Sequence, residues 1–229
     1  NAPLDWDTSK VTDIGHTFEG AVKFDQALVW DTSQVTFLQN TFFDARAFNQ
    51  PLVWDTSKVT VLSRTFNAAR AFNQPLYWDT SQVTTMGHTF ENSKSFNQAI
   101  DGWDMSDVDG ISHMFAGAGS FNQPGVVHWD VSRVAKFYRI FADTALEDDL
   151  CSKQLLIEGW ADVTAFTTSY TDWDWRDTTT YSSWVGTVGC PPSPPAPPAA
   201  FAPGIFASRA DLKAAVDEWI ADVSTAAAA

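Results

Sequence analysis

One short pattern recurs six times along the chain and sets its period. In each copy a Trp-Asp pair is followed by Ser two residues after the Asp, and by Val two residues after that Ser. Successive copies are separated by 24, 24, 24, 25 and 26 residues. A period of about 20 to 50 residues is typical of solenoids, propellers and arrays. Repeats 1 to 6 begin at Trp6, Trp30, Trp54, Trp78, Trp103 and Trp129.

Phenylalanines recur in step with the tryptophans. One Phe follows each Trp by 12 residues, and in five repeats a second Phe follows six residues later. Fixing about 24 backbones costs on the order of 1–2 kcal/mol per residue. Burying the few large side chains of one repeat returns only about 1.5–3 kcal/mol each. We therefore expect that a single repeat does not fold alone and that several must stack.

The spacing within one repeat predicts a short helix and a short strand. Apolar residues recur at intervals of three and four, as on one face of a helix: Val35, Leu38, Phe42 and Ala45. Asp31, Thr32 and Ser33 precede them and are residue types that cap helices. Leu52 and Trp54 then alternate with Val53, which favours a strand. The predicted fold class is an α/β repeat solenoid with coils of 24 to 26 residues.

Two polar columns also run along the predicted stack. Six aspartates follow the six tryptophans, and they have two interpretations: Ca²⁺ ligands, or caps of the local turn. We favour capping and predict no bound cofactor or metal. An Asn near the end of most repeats predicts an amide ladder that satisfies backbone groups between coils. Its members are Asn49, Asn73, Asn97 and Asn122.

The repeat Phe-Asn-Gln-Pro-Leu-x-Trp-Asp-Thr-Ser-x-Val-Thr resembles the BspA-type leucine-rich repeat, also called the bacterial surface protein 26-residue repeat or DUF285. The resemblance covers residues 1–146 and departs from bacterial members by using Phe, Trp and Thr where they often carry Leu or Met. It implies a right-handed leucine-rich-repeat-like solenoid outside the cell, with structural or adhesive roles and no catalytic residues. The pattern starts in mid-repeat, so we expect a segment of a longer protein.

The repeat pattern stops near residue 146, and a different composition follows. Residues 147–190 are rich in aromatic residues and are bracketed by Cys151 and Cys190, the only two cysteines. We interpret them as a disulfide that staples a C-terminal cap onto the last coil, which requires an oxidising compartment. Two unpaired buried thiols are the alternative.

A proline-rich linker over 191–204 separates the cap from a predicted amphipathic helix over 205–229, which would open a further repeat array. The linker resembles hydroxyproline-rich linkers of algal and plant extracellular glycoproteins, and an unmodified linker is the alternative. Its candidate hydroxyproline or O-glycosylation positions are Pro191, Pro192, Ser193, Pro194, Pro195, Pro197 and Pro198.

Charge and motifs exclude several classes of function. The net charge of −14 disfavours nucleic acid and anionic membranes as partners. No run of about 18 apolar residues is present to span a bilayer. We find no Ser-His-Asp order, phosphate-binding Gly loop or metal-ligand spacing, and we predict that the chain is not an enzyme.

Exposed apolar positions suggest how the protein contacts partners. Val29, Val53 and Tyr77 occupy the loop that tolerates insertions, and Phe37 and Val61 occupy a column that is polar, charged or Gly in the other repeats. We predict a lateral contact patch from these five residues, with scattered surface apolar residues as the alternative.

The predicted function is a non-catalytic structural module of an extracellular, cell-surface or secreted filament or wall assembly. Its partners would be other protein chains or copies of itself. An adhesin that binds a foreign protein or glycan is the alternative. Two columns of Thr suggest a third possible function, that of an ice-binding solenoid.

Overall fold

The structure is a computed structural model that describes residues 4–169 of the chain, within the first of its two units, Asn1–Ala196. Its helical elements are a 3₁₀ turn at Pro124–His128 and the helices α1 at Ala145–Asp148, α2 at Leu150–Gly159 and α3 at Thr164–Ser169. The β-structure of this part of the chain consists of isolated parallel bridges.

Each repeat pairs with the next through one bridge position and several backbone hydrogen bonds. The bridges join Asp13, Phe37, Val61, Thr85, Gly110 and Lys136 in succession, always in parallel. Between repeats 2 and 3, the amides of residues 38, 40, 42 and 44 donate to the carbonyls of residues 61, 63, 65 and 67 at 2.8 to 3.2 Å. Equivalent residues of successive repeats therefore lie in register. We call residues 4–146 the repeat stack.

The predicted helix and strand within each repeat are wrong. Residues 38–48 form overlapping turns, in which Thr41 donates to Leu38 and Ala45 donates to Phe42. Asn40 and Asp44 have positive φ angles of 57° and 55°, which an α-helix excludes. A turn every three or four residues directs the same positions inward as a helix does. The apolar spacing therefore could not distinguish a chain of turns from a helix. The pairing position is Phe37, outside the predicted strand.

Left-handed residues occur twice in every repeat, four positions apart. The second of these columns is Gly20, Asp44, Ala68, Asn92, Gly117 and Asp143. Five of its six members are Gly, Asp or Asn, the types that adopt positive φ most readily. This column is a sequence signal for turns, which the spacing of the apolar residues does not reveal. The right-handed sense of the coil stays a prediction.

Three aromatic columns fill the core of the repeat stack. Ring centroids of the first Phe column are 5.4 to 5.7 Å apart, and those of the second are 5.8 to 6.1 Å apart. From Trp30 onward the repeat tryptophans are almost fully buried. Each of these donates its indole N–H to a carbonyl two or three residues before the preceding Trp of the column, as Trp54 does to Leu28. The polar edge of each ring is thereby satisfied inside the core.

The predicted amide ladder is confirmed, and a second ladder was missed. The side-chain carbonyl of Asn73 accepts the backbone amide of Asn97 at 2.9 Å and the Gln98 amide at 3.0 Å. Thr65, which is fully buried, donates its hydroxyl to carbonyls of its own repeat and of the preceding one. Thr41 and Thr89 make the same contacts. Polar columns thus hold repeats together alongside the aromatic ones.

The helices after the repeat stack cover its last repeat. Trp160 donates its indole N–H to the Val127 carbonyl at 3.2 Å, which matches the contact of every repeat Trp from Trp30 onward and adds a seventh member to that column. Its ring stacks on Phe141, with centroids 6.2 Å apart, and Phe166 of α3 packs edge-on against Phe137. The amide ladder ends here too, because Asn122 donates to Asp149, the N-cap of α2.

Several predicted features lie outside the described residues. Cys151 is in α2, but Cys190 lies beyond residue 169, so the disulfide stays a prediction. The proline-rich linker with its modification positions, and the helix over 205–229, also lie outside the described part of the chain.

Replacing Asn73 by Leu tests the amide ladder. The change removes the acceptor of two donors in repeat 4, and a buried donor left unsatisfied costs about 1–3 kcal/mol. We expect the melting temperature to fall by several degrees. Asn73→Asp is the matched control, because Asp25 accepts the equivalent two donors at 2.9 Å. Equal melting temperatures for the Leu and Asp variants would contradict the ladder.

Replacing Trp160 by Ala tests the cap. The side chain is 1% exposed, and truncation of a buried Trp costs about 3–5 kcal/mol. Because each repeat contacts only its neighbours, we expect amide hydrogen exchange to accelerate most in repeat 6 and least in repeat 2. Trp6→Ala is the control, since Trp6 is 57% exposed and lies in repeat 1. Uniform acceleration along the stack would show that Trp160 does not act as an end cap.

Candidate functional site

The structure exposes three of the five residues of the predicted contact patch. Val29 is 86% exposed, Phe37 is 44% exposed and Val53 is 38% exposed. Tyr77 and Val61 are only partly exposed, and burial raises the pKa of the Tyr77 phenol. The exposed members of the predicted patch are therefore Val29, Phe37 and Val53 only. Whether it contacts a protein stays a prediction.

The register of the repeats brings some patch residues together. Phe37 and Val61 are joined by a parallel bridge, so these side chains are direct neighbours in one column. Val29 and Val53 lie one residue before Trp30 and Trp54, at equivalent positions of the insertion-tolerant loop. Sequence spacing alone was sufficient to predict both columns.

The aspartate column caps turns. In all six repeats the Asp Oδ1 atom accepts the backbone amide of the Ser two residues later, at 2.9 to 3.1 Å. Hydrogen bonds from the Ser9 hydroxyl and amide hold the pKa of Asp7 below its usual value. The capping interpretation is confirmed, although each Asp caps a turn and no helix follows. In residues 4–169 no group of three or more His, Cys, Asp or Glu is arranged to hold a metal ion.

The two predicted Thr columns have different environments. Thr8, Thr32, Thr56 and Thr80 are buried, and from Thr32 onward each hydroxyl donates to the Asp carbonyl of the next repeat at 3.0 Å. The other column lies at the surface, where Thr36, Thr60 and Thr84 donate to the carbonyl of the preceding Thr. One column is therefore withdrawn from water, and the outer column uses its hydroxyl protons within the protein.

A basic column was not recognised in the sequence. Arg46, Arg70 and Lys94 occupy equivalent positions of repeats 2, 3 and 4, and all three are exposed. Arg46 binds Asp44 of its own repeat through two hydrogen bonds of 2.7 and 3.1 Å. The Arg46 hydrogen bond holds the pKa of Asp44 below its usual range, and the charge of Arg70 contributes to the effect. The signal was available in the recurrence of cationic residues every 24 positions.

Two histidines stack in the first left-handed column. The rings of His88 and His113 are 4.7 Å apart and nearly parallel, and His88 contacts Glu91 at 2.9 Å. The Nδ1 atom of His113 is buried without a partner among the described residues. Burial, and then the charge of His88, hold the pKa of His113 below 6.5, with Glu91 opposing and Arg139 adding to the effect.

The histidine stack predicts an acid-sensitive stability. The folded state binds a proton at His113 less readily than the unfolded state, so stability is present above pH 6.5 and is lost as the pH falls through the folded pKa. His113→Phe keeps a stacked ring without a titrating group. We expect the loss of melting temperature between pH 7 and pH 5 to be smaller in this variant. The exposed His16, changed to Phe, is the control, and an identical pH dependence in all three proteins would refute the assignment.

No helix in the described residues is both long and apolar enough to cross a bilayer. Comparison with curated proteins and with solved structures returned no match. The model of a family described as "Mycoplasma protein of unknown function, DUF285" matches residues 2–77 and again 76–155. These matches span two thirds of the chain and continue past residue 146 into α2. The resemblance inferred from the repeat motif is confirmed, and the chain is a member of the DUF285 repeat family.

Proposed function

We propose that this chain is a non-catalytic structural module of an extracellular repeat assembly, and that it packs side by side with other protein chains. The observation that carries the proposal is the exposed apolar surface at Val29, Phe37 and Val53 on a regular stack of repeats. Exposed apolar side chains on a folded surface favour contact with another protein, because burying them removes them from water.

The construction of the repeat stack suits a load-bearing role. The interface between repeats 2 and 3 combines backbone hydrogen bonds, aromatic stacking and the Asn and Thr ladders. An end-to-end load on such a body is shared among these parallel contacts. A right-handed solenoid joined by proline-rich linkers to further arrays would extend the same construction, and the predicted Cys151–Cys190 disulfide would place it in an oxidising compartment.

The adhesive alternative uses the same surface with a different partner. A foreign protein or glycan bound at Val29 and Val53 would require the same exposed apolar groups, and no described residue separates the two functions. The partner must therefore be identified by an experiment that follows self-assembly and foreign binding in the same variants.

The double substitution Val29→Glu and Val53→Glu tests the proposed function. Both side chains are exposed, so we expect the free energy of unfolding to change by less than about 1 kcal/mol. The change in melting temperature should be correspondingly small. We expect assembly, followed by analytical ultracentrifugation and electron microscopy, to weaken at least tenfold. Val22→Glu is the matched control, since Val22 is 41% exposed and lies outside the patch.

Two outcomes would contradict the structural role. If the double variant assembles like the unmodified chain, the patch is not a contact between copies. If assembly is unchanged and binding to a foreign protein or a glycan is lost, the adhesive function replaces the structural one.

A further inference from the structure

The basic column is held in register by the backbone. The carbonyls of Arg46 and Arg70 accept amides of the following repeat, from Ala71 and Ser95, at 3.1 and 3.2 Å. Three cationic side chains therefore project from the same point of three successive repeats. Arg70 and Lys94 take part in none of the ion pairs found among the described residues.

The carboxylate that neutralises the column is present in only one of these repeats. Asp44 binds Arg46, whereas the equivalent position is Ala68 in repeat 3 and Asn92 in repeat 4. Arg70 and Lys94 therefore have no carboxylate at that position of their own repeat, and Arg70 interacts with Asp44 only through longer-range charge attraction. Two exposed cations remain available to an acidic ligand from outside the chain.

The aspartate column of the same chain has a matching spacing. Asp31, Asp55 and Asp79 stand in repeats 2, 3 and 4, and each is fixed by a 3.0 Å bond to its turn. That bond engages Oδ1, which orients the carboxylate at the surface. Both columns advance by one repeat at each step, so their charges recur with the same rise along the stack.

We propose that the basic column of one copy, through Arg70 and Lys94, binds Asp55 and Asp79 of the aspartate column of a second copy. The proposal rests on the proposed function and specifies a contact for it. Equal spacing allows each cation to meet a carboxylate without distortion of either stack. Guanidinium groups can bind carboxylates through two parallel hydrogen bonds, which adds geometric specificity.

The two columns lie on different segments of the repeat, and this determines the type of assembly. Within each repeat, the aspartate comes directly after the Trp, whereas the basic residue comes later, near the end of the run of turns. A contact between unlike surfaces leaves one unused column on each copy. Such heterologous contacts continue into open arrays unless a rotation closes them into a ring. The predicted product is therefore a lateral array that grows by addition of copies.

A second copy fits the basic column better than a polyanion does. The net charge of −14 opposes the approach of a nucleic acid, an acidic polysaccharide and a second copy alike at long range, so the spacing of the charges decides which partner fits. Its own aspartates supply carboxylates at the required spacing. A single exposed ion pair contributes little, so binding needs several pairs acting together and should weaken with salt.

Two charge variants of the full chain test the proposal. Arg70→Glu with Lys94→Glu removes the basic column and keeps the aspartates. Asp55→Asn with Asp79→Asn removes acidic charge and keeps the Oδ1 acceptor that each turn requires. We expect each variant alone to lose association at least tenfold in ultracentrifugation at low salt. An equimolar mixture retains one intact pair of columns, so we expect 1:1 dimers that do not grow further.

The control is Arg64→Glu, an exposed arginine of repeat 3 outside the basic column, which should assemble normally. The proposal is overturned if either variant assembles like the unmodified chain, or if the mixture stays monomeric. It is also overturned if the arginine and lysine changes abolish binding to heparin while self-association is unchanged. Loss of assembly only in the Val29 and Val53 variant would refute the charge columns and leave the proposed function intact.

Discussion

The alternation of backbone amides between two directions underlies the whole repeat stack. Within residues 38–45, amides at even positions donate to the next repeat and amides at odd positions from Thr41 close turns within their own repeat. This alternation requires left-handed residues such as Asn40 and Asp44 at intervals of four. Because the axial bonds fix the register, equivalent side chains meet directly, and the aromatic columns and polar ladders follow from that register.

The sequence predicted columns better than it predicted local conformation. A strict period places Phe42 against Phe66 and Asn49 against Asn73 whatever the backbone does between them, so the core and the amide ladder were accessible. The turns were not, because burial at intervals of three and four is common to a helix and to a chain of turns. The apolar spacing was therefore ambiguous, and the signal for turns lay instead in the Gly, Asp and Asn residues of the column that contains Asp44.

The candidate site was likewise predicted only in part, because the repeat period reports columns and does not report local packing. The exposed positions Val29 and Phe37 were recognisable as departures from their columns. The partial burial of Tyr77 depends on how the loop before Trp78 packs, and the periodic pattern of the sequence does not predict that packing. Trp160 was missed as a seventh column member because α2 is inserted before it, which shifts it away from the repeat spacing. A column member is therefore not recognisable from spacing where an insertion breaks the period.

The amide ladder has a consequence for how such proteins change length. Each rung takes its acceptor from one repeat and its donors from the next, and the last rung contacts the cap through Asn122 and Asp149. A gene duplication that adds one whole repeat inserts one acceptor and one set of donors together, so no polar group loses its partner. Copy number can therefore vary by recombination between repeats while both ends of the stack stay unchanged.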